Sequence, residues 1–185
     1  MTTLDYPRPP LADDTALLRP WAEADVACVI EGKQCDHEAA LAWIADQWQR
    51  QSEGAGIGLA IADPLSGEAL GCISLLYRPQ AGRAPAGDRS SDDLRYVPDR
   101  GMVGLGYWVI ERARRRGLAS SAARLVSDWG LEEAGIARLE ALTETDNVAS
   151  QRVLERAGFR PEGRLASYPM VDGGRAEALI YARTT

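Results

Sequence analysis

Four arginines in five positions, Arg112, Arg114, Arg115 and Arg116, run straight into Gly117-Leu118-Ala119-Ser120, where a helical pattern of apolar residues begins. An apolar stretch, Tyr107-Trp108-Val109-Ile110, leads into them. A strand feeding such a turn and then a helix suits one task, the holding of a pyrophosphate. The first amides of a helix have no internal partner, and the helix dipole places roughly half a positive charge there. Gly117 and Ala119 are small enough for phosphate oxygens to reach the main chain. The arginines add charge-assisted hydrogen bonds. Arginine is also this chain's habitual base, because Lys33 is the single lysine among 21 basic residues. Abundance alone does not explain the cluster followed by Gly-x-Ala.

A second grouping lies about thirty residues on, in Asp146-Asn-Val-Ala-Ser-Gln-Arg-Val-Leu-Glu-Arg-Ala-Gly-Phe-Arg160. Asn147 and Ser150 stand three apart at the start of an expected helix, so their side chains share a face. Two readings stay open. They point together at one end of a ligand, or Asp146 or Asn147 caps the helix with Ser150 in its first turn.

Taken together, in this order and separation, the two segments resemble the GNAT acetyltransferases, and among them the group related to ribosomal-protein N-acetyltransferases. The resemblance covers about Gly101 to Arg183, with a weaker echo at Ala16–Trp21. It implies an N-acetyltransferase that moves an acetyl group from acetyl-CoA, as cosubstrate, to a primary amine by direct attack in a ternary complex. The turn from Arg114 through Arg115, Arg116, Gly117, Leu118 and Ala119 to Ser120 would take the coenzyme A pyrophosphate. The backbone of Trp108, Val109 and Ile110 would pair with the pantetheine arm, in a wedge opened against the strand Arg138–Thr143. The same residues also suit a core strand, and both can hold. The Val109 amide would face the developing oxyanion. Asn147 would hold a pantetheine amide, Ser150 would hydrogen-bond the sulfur and return a proton to it, and Arg156 is counted with the cofactor-binding residues. Relatives often place a glutamate base two positions before Gly-Tyr, where this chain has Gly104. Glu144 and Tyr168 are the candidate replacements. An α-amine, with a pKa near 7.7–8.0, could react without one. Loss of that base also supports an alternative: a non-catalytic acyl-CoA-binding sensor or scaffold.

The elements that must position these residues follow from periodicity. Strands are expected at Thr15–Trp21, Ile57–Asp63, Ala69–Tyr77, Met102–Ile110, Arg138–Thr143, Phe159–Tyr168 and Ala176–Arg183. Helices are expected at Ala22–Gly32, from an Asp36 cap to about Glu53, from Leu118 to about Ala134, and over Asn147–Ala157. Ala40, Trp43, Ile44 and Trp48 share the apolar face of the second helix. Asp172-Gly-Gly174 reads as a hairpin turn. The class is mixed α/β (α+β): a largely antiparallel central sheet splayed between its middle strands, with helices on both faces, in a single domain over 1–185. Residues 78–100, rich in Pro, Gly and Asp, read as a loop insertion, either disordered or a flap over the site, with disorder preferred. As a flap, Asp88, Asp92 and Asp93 could attract a cationic acceptor, and Lys33–Asp36 falls where relatives shape the acceptor pocket.

The net charge of −6 argues against nucleic-acid and anionic-membrane partners. No run reaches the eighteen apolar residues of a span, and the first ten residues do not look like a signal peptide. Cys28, Cys35 and Cys72 lack metal or redox spacing and read as reduced thiols of a cytoplasmic protein. His37 beside Cys35 makes a poor metal site, and no metal is expected. The expected state is a monomer or homodimer.

Overall fold

The computed structural model describes residues 4–77, 102–169 and 174–185. The expected insertion at 78–100 and the turn of the last hairpin lie outside the described residues.

The chain opens with a short strand, β1 (Leu11–Ala12), paired antiparallel with β2 (Leu17–Pro20). Neither the extra strand nor the late start of β2 was expected. The cause is Asp13, whose carboxylate accepts from the Thr15 and Ala16 amides at 2.8 and 2.9 Å. An Asx turn therefore takes the two residues that the alternation pattern assigned to a strand. One turn of 3₁₀ helix (Glu23–Asp25) leads into α1 (Val26–Lys33). Asp36 caps α2 (His37–Ser52), accepting from Ala39 N–H at 2.8 Å.

β3 (Gly56–Ala62) and β4 (Ala69–Tyr77) follow, joined by a turn in which Asp63 accepts from the Leu65 and Ser66 amides. Beyond lie β5 (Met102–Val109), α3 (Leu118–Glu132), β6 (Arg138–Glu144), α4 (Val148–Arg156), β7 (Arg160–Pro169) and β8 (Arg175–Thr184). The strands form one sheet in the order β1-β2-β3-β4-β5-β6-β8-β7. Every neighbouring pair is antiparallel except β5 and β6, which run parallel. A parallel pair needs a crossover, and α3 supplies it.

All residues of β3 and β4 are buried, so both faces of the sheet are covered. A Cβ on Gly58 would sit 2.3 Å from Oε1 of Gln47, which puts α2 on the Gly58 face. A Cβ on Gly130 of α3 would lie 3.6 Å from Leu75 and 3.9 Å from Leu139, on the other face. The space left by Gly58 also explains a departure from the expected pattern of α2. Gln47 is buried at 2% exposure, whereas Trp48 is 38% exposed and donates its indole N–H to the Trp21 carbonyl at 3.0 Å. Ala40 and Ile44 are fully buried as the periodicity requires.

Asp13 also anchors α3. Its carboxylate accepts from Ser121 Oγ at 2.5 Å and Arg124 Nη2 at 2.6 Å, tying the first turns of α3 to the β1–β2 turn. Burial pushes this carboxyl up, but the Ser121 hydroxyl, the Thr15 and Ala16 amides and Arg124 together hold it below the usual carboxylate range. A depressed folded-state pKa contributes stability that is present above the unfolded value, near 3.9, and fades as pH falls through the folded one. Asp13→Ala should therefore lower the melting temperature by roughly 3–10 °C at pH 7. The gap between wild type and variant should narrow below about pH 4 in calorimetric scans, and a gap constant down to pH 2 would contradict this account.

Candidate functional site

β5 and β6 hold together for only three registered pairs, Met102–Arg138, Val103–Leu139 and Gly104–Glu140. Past Gly104 the two strands part, and their C-terminal stretches line an open gap. On its other side β5 stays paired with β4 up to Val109, and the Ile110 amide donates to the Leu70 carbonyl at 3.0 Å. Backbone groups of successive strand residues point to alternate edges. Ile110 and Trp108 therefore turn their backbone toward β4, and Val109 and Tyr107 turn theirs toward the gap. The Ile110 carbonyl is also engaged, by the Ala113 amide at 3.0 Å. Of the three residues expected to offer their main chain, only Val109 faces the gap, and Tyr107 joins it.

The arginine turn closes one end of this gap. A 3₁₀ turn (Glu111–Ala113) follows β5, and the chain then reverses through Arg115 at φ 62° and Gly117 at φ 84°. The left-handed region costs a residue with a side chain about a kcal/mol or more, so Arg115 holds its place under strain. Gly117 is the N-cap of α3, and among the described residues no side chain caps that helix. The first bonded amide is that of Ser121, which donates to the Gly117 carbonyl at 3.0 Å. The amides of Leu118, Ala119 and Ser120 are therefore the free donors of a helix start. Leu118 is buried and fixes the turn from beneath.

The arginines divide their work. Arg112 bonds Glu31 at 3.0 Å and Glu68 at 2.8 Å and pins the turn to α1 and to the residue just before β4. Arg114 folds back, its Nε donating to the Val109 carbonyl at 3.1 Å. Arg116 lies 3.5 Å from the Asp63 carboxylate. Arg115 is exposed and makes no hydrogen bond or ion pair among the described residues.

Across the gap, Asn147 is the N-cap of α4 and accepts from the Ser150 amide at 3.1 Å. The capping reading therefore holds for its oxygen, and the amide nitrogen is left to donate. Ser150 Oγ stands 2.7 Å from the hydroxyl of Tyr107, a residue the sequence did not single out. No local signal could have found it, because the partners are 43 residues apart. Burial pushes the Tyr107 phenol up to about 12, with the Ser150 hydrogen bond pulling the other way. On the diverging stretch of β6, the Thr143 hydroxyl is buried without a partner. An orphaned donor there fits a ligand rich in amides.

The remaining candidates separate. Glu144 ends β6 at the gap and is exposed, and strand alternation turns it to the face opposite Ala141 and Thr143. Tyr168 pairs with Ala176 on β7, and β8 stands between it and β6. The geometry does not bring Tyr168 to Ser150. Arg156 closes α4 roughly 9 Å along the axis from Ser150, exposed and without a partner among the described residues. Glu140, directly opposite Gly104, is a buried carboxylate that the sequence reading passed over. Arg138 holds it at 2.8 Å and also binds Glu162.

The Trp108 side chain lies on the α1 face. It stacks with Trp21 at 6.1 Å between centroids and meets Trp43 edge-on at 6.0 Å, with Lys33 Nζ 4.9 Å from the Trp43 ring. His37 is exposed at the start of α2. Among the described residues no group of three or more His, Cys, Asp or Glu could hold a metal, and no helix is long and apolar enough to cross a membrane.

Comparison with known proteins joins this geometry to a family. Residues 8–160 match the acetyltransferase (GNAT) domain family. The chain belongs to the GNAT acetyltransferases. Among curated GNAT relatives, the uncharacterized N-acetyltransferase YoaA of Bacillus subtilis is 35% identical over 78 residues, 42% of this chain and 44% of YoaA. The aligned part is thus less than half of that relative's length. Solved structures share the fold, two of them as follows. Ribosomal-protein-S5-alanine acetyltransferase from Vibrio fischeri superposes with a TM-score of 0.73 at 12% identity, covering 95% of this chain and 96% of its own. Mycobacterium smegmatis RimJ in complex with CoA-disulfide gives 0.70 at 22% identity, covering 95% and 86%.

The orphaned hydroxyl in the gap of this GNAT chain has a measurable consequence. Thr143→Val removes a buried polar group that has no protein partner, so it should leave stability unchanged or raise it by about 1 kcal/mol. A loss of more than 1 kcal/mol in urea melts would show that the hydroxyl is satisfied in the free protein.

Proposed function

We propose that this GNAT chain is an N-acetyltransferase that carries the acetyl group of acetyl-CoA to a primary amine. One observation supports the reading above all: among the described residues, the gap-facing edge of β5 has no strand partner past Gly104 and runs into a helix N-terminus that no side chain caps. The amides of Leu118, Ala119 and Ser120, the left-handed Gly117 and the unengaged Arg115 would take the pyrophosphate. Pantetheine is a chain of amides. It would lie along the edge at Tyr107 and the Val109 amide, with the Asn147 amide and the Thr143 hydroxyl on the opposite wall.

The reaction needs no covalent enzyme intermediate. The amine nitrogen attacks the thioester carbonyl, and a tetrahedral oxyanion forms within reach of the Val109 N–H, which faces the gap. Preorganised amides of this kind are typically worth about 10²–10³ in rate. The C–S bond then breaks, and Ser150 passes its hydroxyl proton to the departing sulfur. The amine's surplus proton leaves on the other face, to water or to Glu144. Glu140 is a weaker candidate for that task, because Arg138 already occupies it. With Gly104 in the place of a base, the acceptor favoured is an α-amine, which is partly neutral at pH 7–8. A protein N-terminus is an acceptor of this kind.

Two measurements test this. Arg115→Ala should weaken coenzyme A binding by roughly 10–100-fold in titration calorimetry, the value of a charge-assisted hydrogen bond. Arg112→Ala, whose charge is spent on Glu31 and Glu68, should change it less than threefold by the same estimate. Thiol release against a panel of peptides with free N-termini and small amines reads turnover directly. Saturable acetyl-CoA binding with no turnover on any amine would favour the sensor reading.

A further inference from the structure

We propose that Tyr107 is a positioning residue for proton return: its hydroxyl holds the Ser150 side chain so that the serine proton is aimed at the departing sulfur. This rests on the acetyltransferase reading of the same gap and adds a residue to it.

Two contacts join the partners. Tyr107 Oη lies 2.7 Å from Ser150 Oγ, where either hydroxyl could donate, and 3.2 Å from the Ser150 carbonyl. An unrestrained serine hydroxyl samples three rotamers and many rotor angles. With its single proton given to Oγ, the phenol removes that freedom, and the serine's own hydrogen is left to point elsewhere. The contact also links the two halves of the machinery. Tyr107 stands two residues, roughly 7 Å along the strand, from Val109, whose amide faces the gap. Ser150 rides on α4, a separate element that reaches β5 only across the opening between β5 and β6. One hydroxyl pair thus sets the distance between the strand's amide donor and the helix's proton donor.

The alternative, that Tyr107 is itself the acid, fits less well. Both Oη contacts are to Ser150, so its single proton is given to the serine and not to the sulfur. Tyr107 therefore stays neutral through turnover. The balanced step is attack by the amine, cleavage of C–S, transfer of the Ser150 proton to sulfur, and reprotonation of Ser150 from the proton the amine has shed into solvent.

A double-mutant cycle decides the matter. Wild type, Tyr107→Phe, Ser150→Ala and the double variant would be assayed for thiol release at saturating acetyl-CoA, with acetyl-CoA affinity measured by calorimetry. Tyr107→Phe keeps the ring and should lower kcat by about 10-fold, and Ser150→Ala by about 100-fold, in the range of general acid catalysis. The double variant should be no slower than Ser150→Ala, because the tyrosine acts only through the serine. Acetyl-CoA affinity should stay within about twofold in all four, which also certifies an intact fold. Multiplying losses, or an unchanged kcat in Tyr107→Phe, would overturn the positioning role while leaving the acetyltransferase reading standing. Wild type that binds acetyl-CoA but acetylates no amine would defeat both readings.

Discussion

The separation of β5 from β6 is the constraint on which the rest depends. Three registered pairs bind the strands at one end, and beyond Gly104 each carries backbone groups with no strand partner. Buried amides and carbonyls left unpaired are costly, so a wedge of this kind persists only where solvent or a ligand satisfies it. The two sides are held apart by what flanks them. β4 keeps β5 straight through Val109, where Gly71 lets the strands close up, since a Cβ there would lie 2.3 Å from the Trp108 carbonyl oxygen. β8 holds β6 along its whole length, from Arg138 to Glu144. Neither wall can collapse onto the other without breaking a full antiparallel ladder.

Around that opening the charges are arranged to free one site while fastening its surroundings. Arg112 ties the turn to α1 and the β3–β4 turn, Arg116 leans on Asp63, and Arg114 covers the end of β5. Asp13, a turn residue near the start of the chain, fixes the first two turns of α3 through Ser121 and Arg124. Arg115 and the first three amides of α3 are left available. The strain at Arg115 and the left-handed Gly117 is held by these attachments. Such local strain survives only where the surroundings impose it.

The two faces of the sheet carry different chemistry. Tyr107, Thr143 and Ser150 lie on the α3–α4 side, a polar set suited to a thiol leaving group. The Trp108, Trp21 and Trp43 rings with Lys33 lie on the α1–α2 side, next to the same strand. Gly32 permits the closeness, because a Cβ there would come within 2.3 Å of the Trp108 ring. The unpartnered Trp108 Nε1 marks that side as one where a polar group could still be received. A cofactor entering from one face and an amine from the other would meet at Val109.

The sequence by itself determined what depends on neighbours along the chain. The helix that starts at Leu118, the Asp36 cap and the Asp63 turn all arise from short-range spacing, turn chemistry and periodicity. Tertiary structure decided what depends on which strand lies beside which. It turned the Ile110 backbone away from the gap and toward Leu70, and set Glu140 against both Gly104 and Arg138. It also left Tyr168 beyond β8, and buried Gln47 in the hollow of Gly58 where Trp48 was expected. The Tyr107–Ser150 contact belongs to the same class. Residues 43 positions apart come within 2.7 Å because a sheet edge and a helix start converge, and no periodicity along the chain encodes a distance across it.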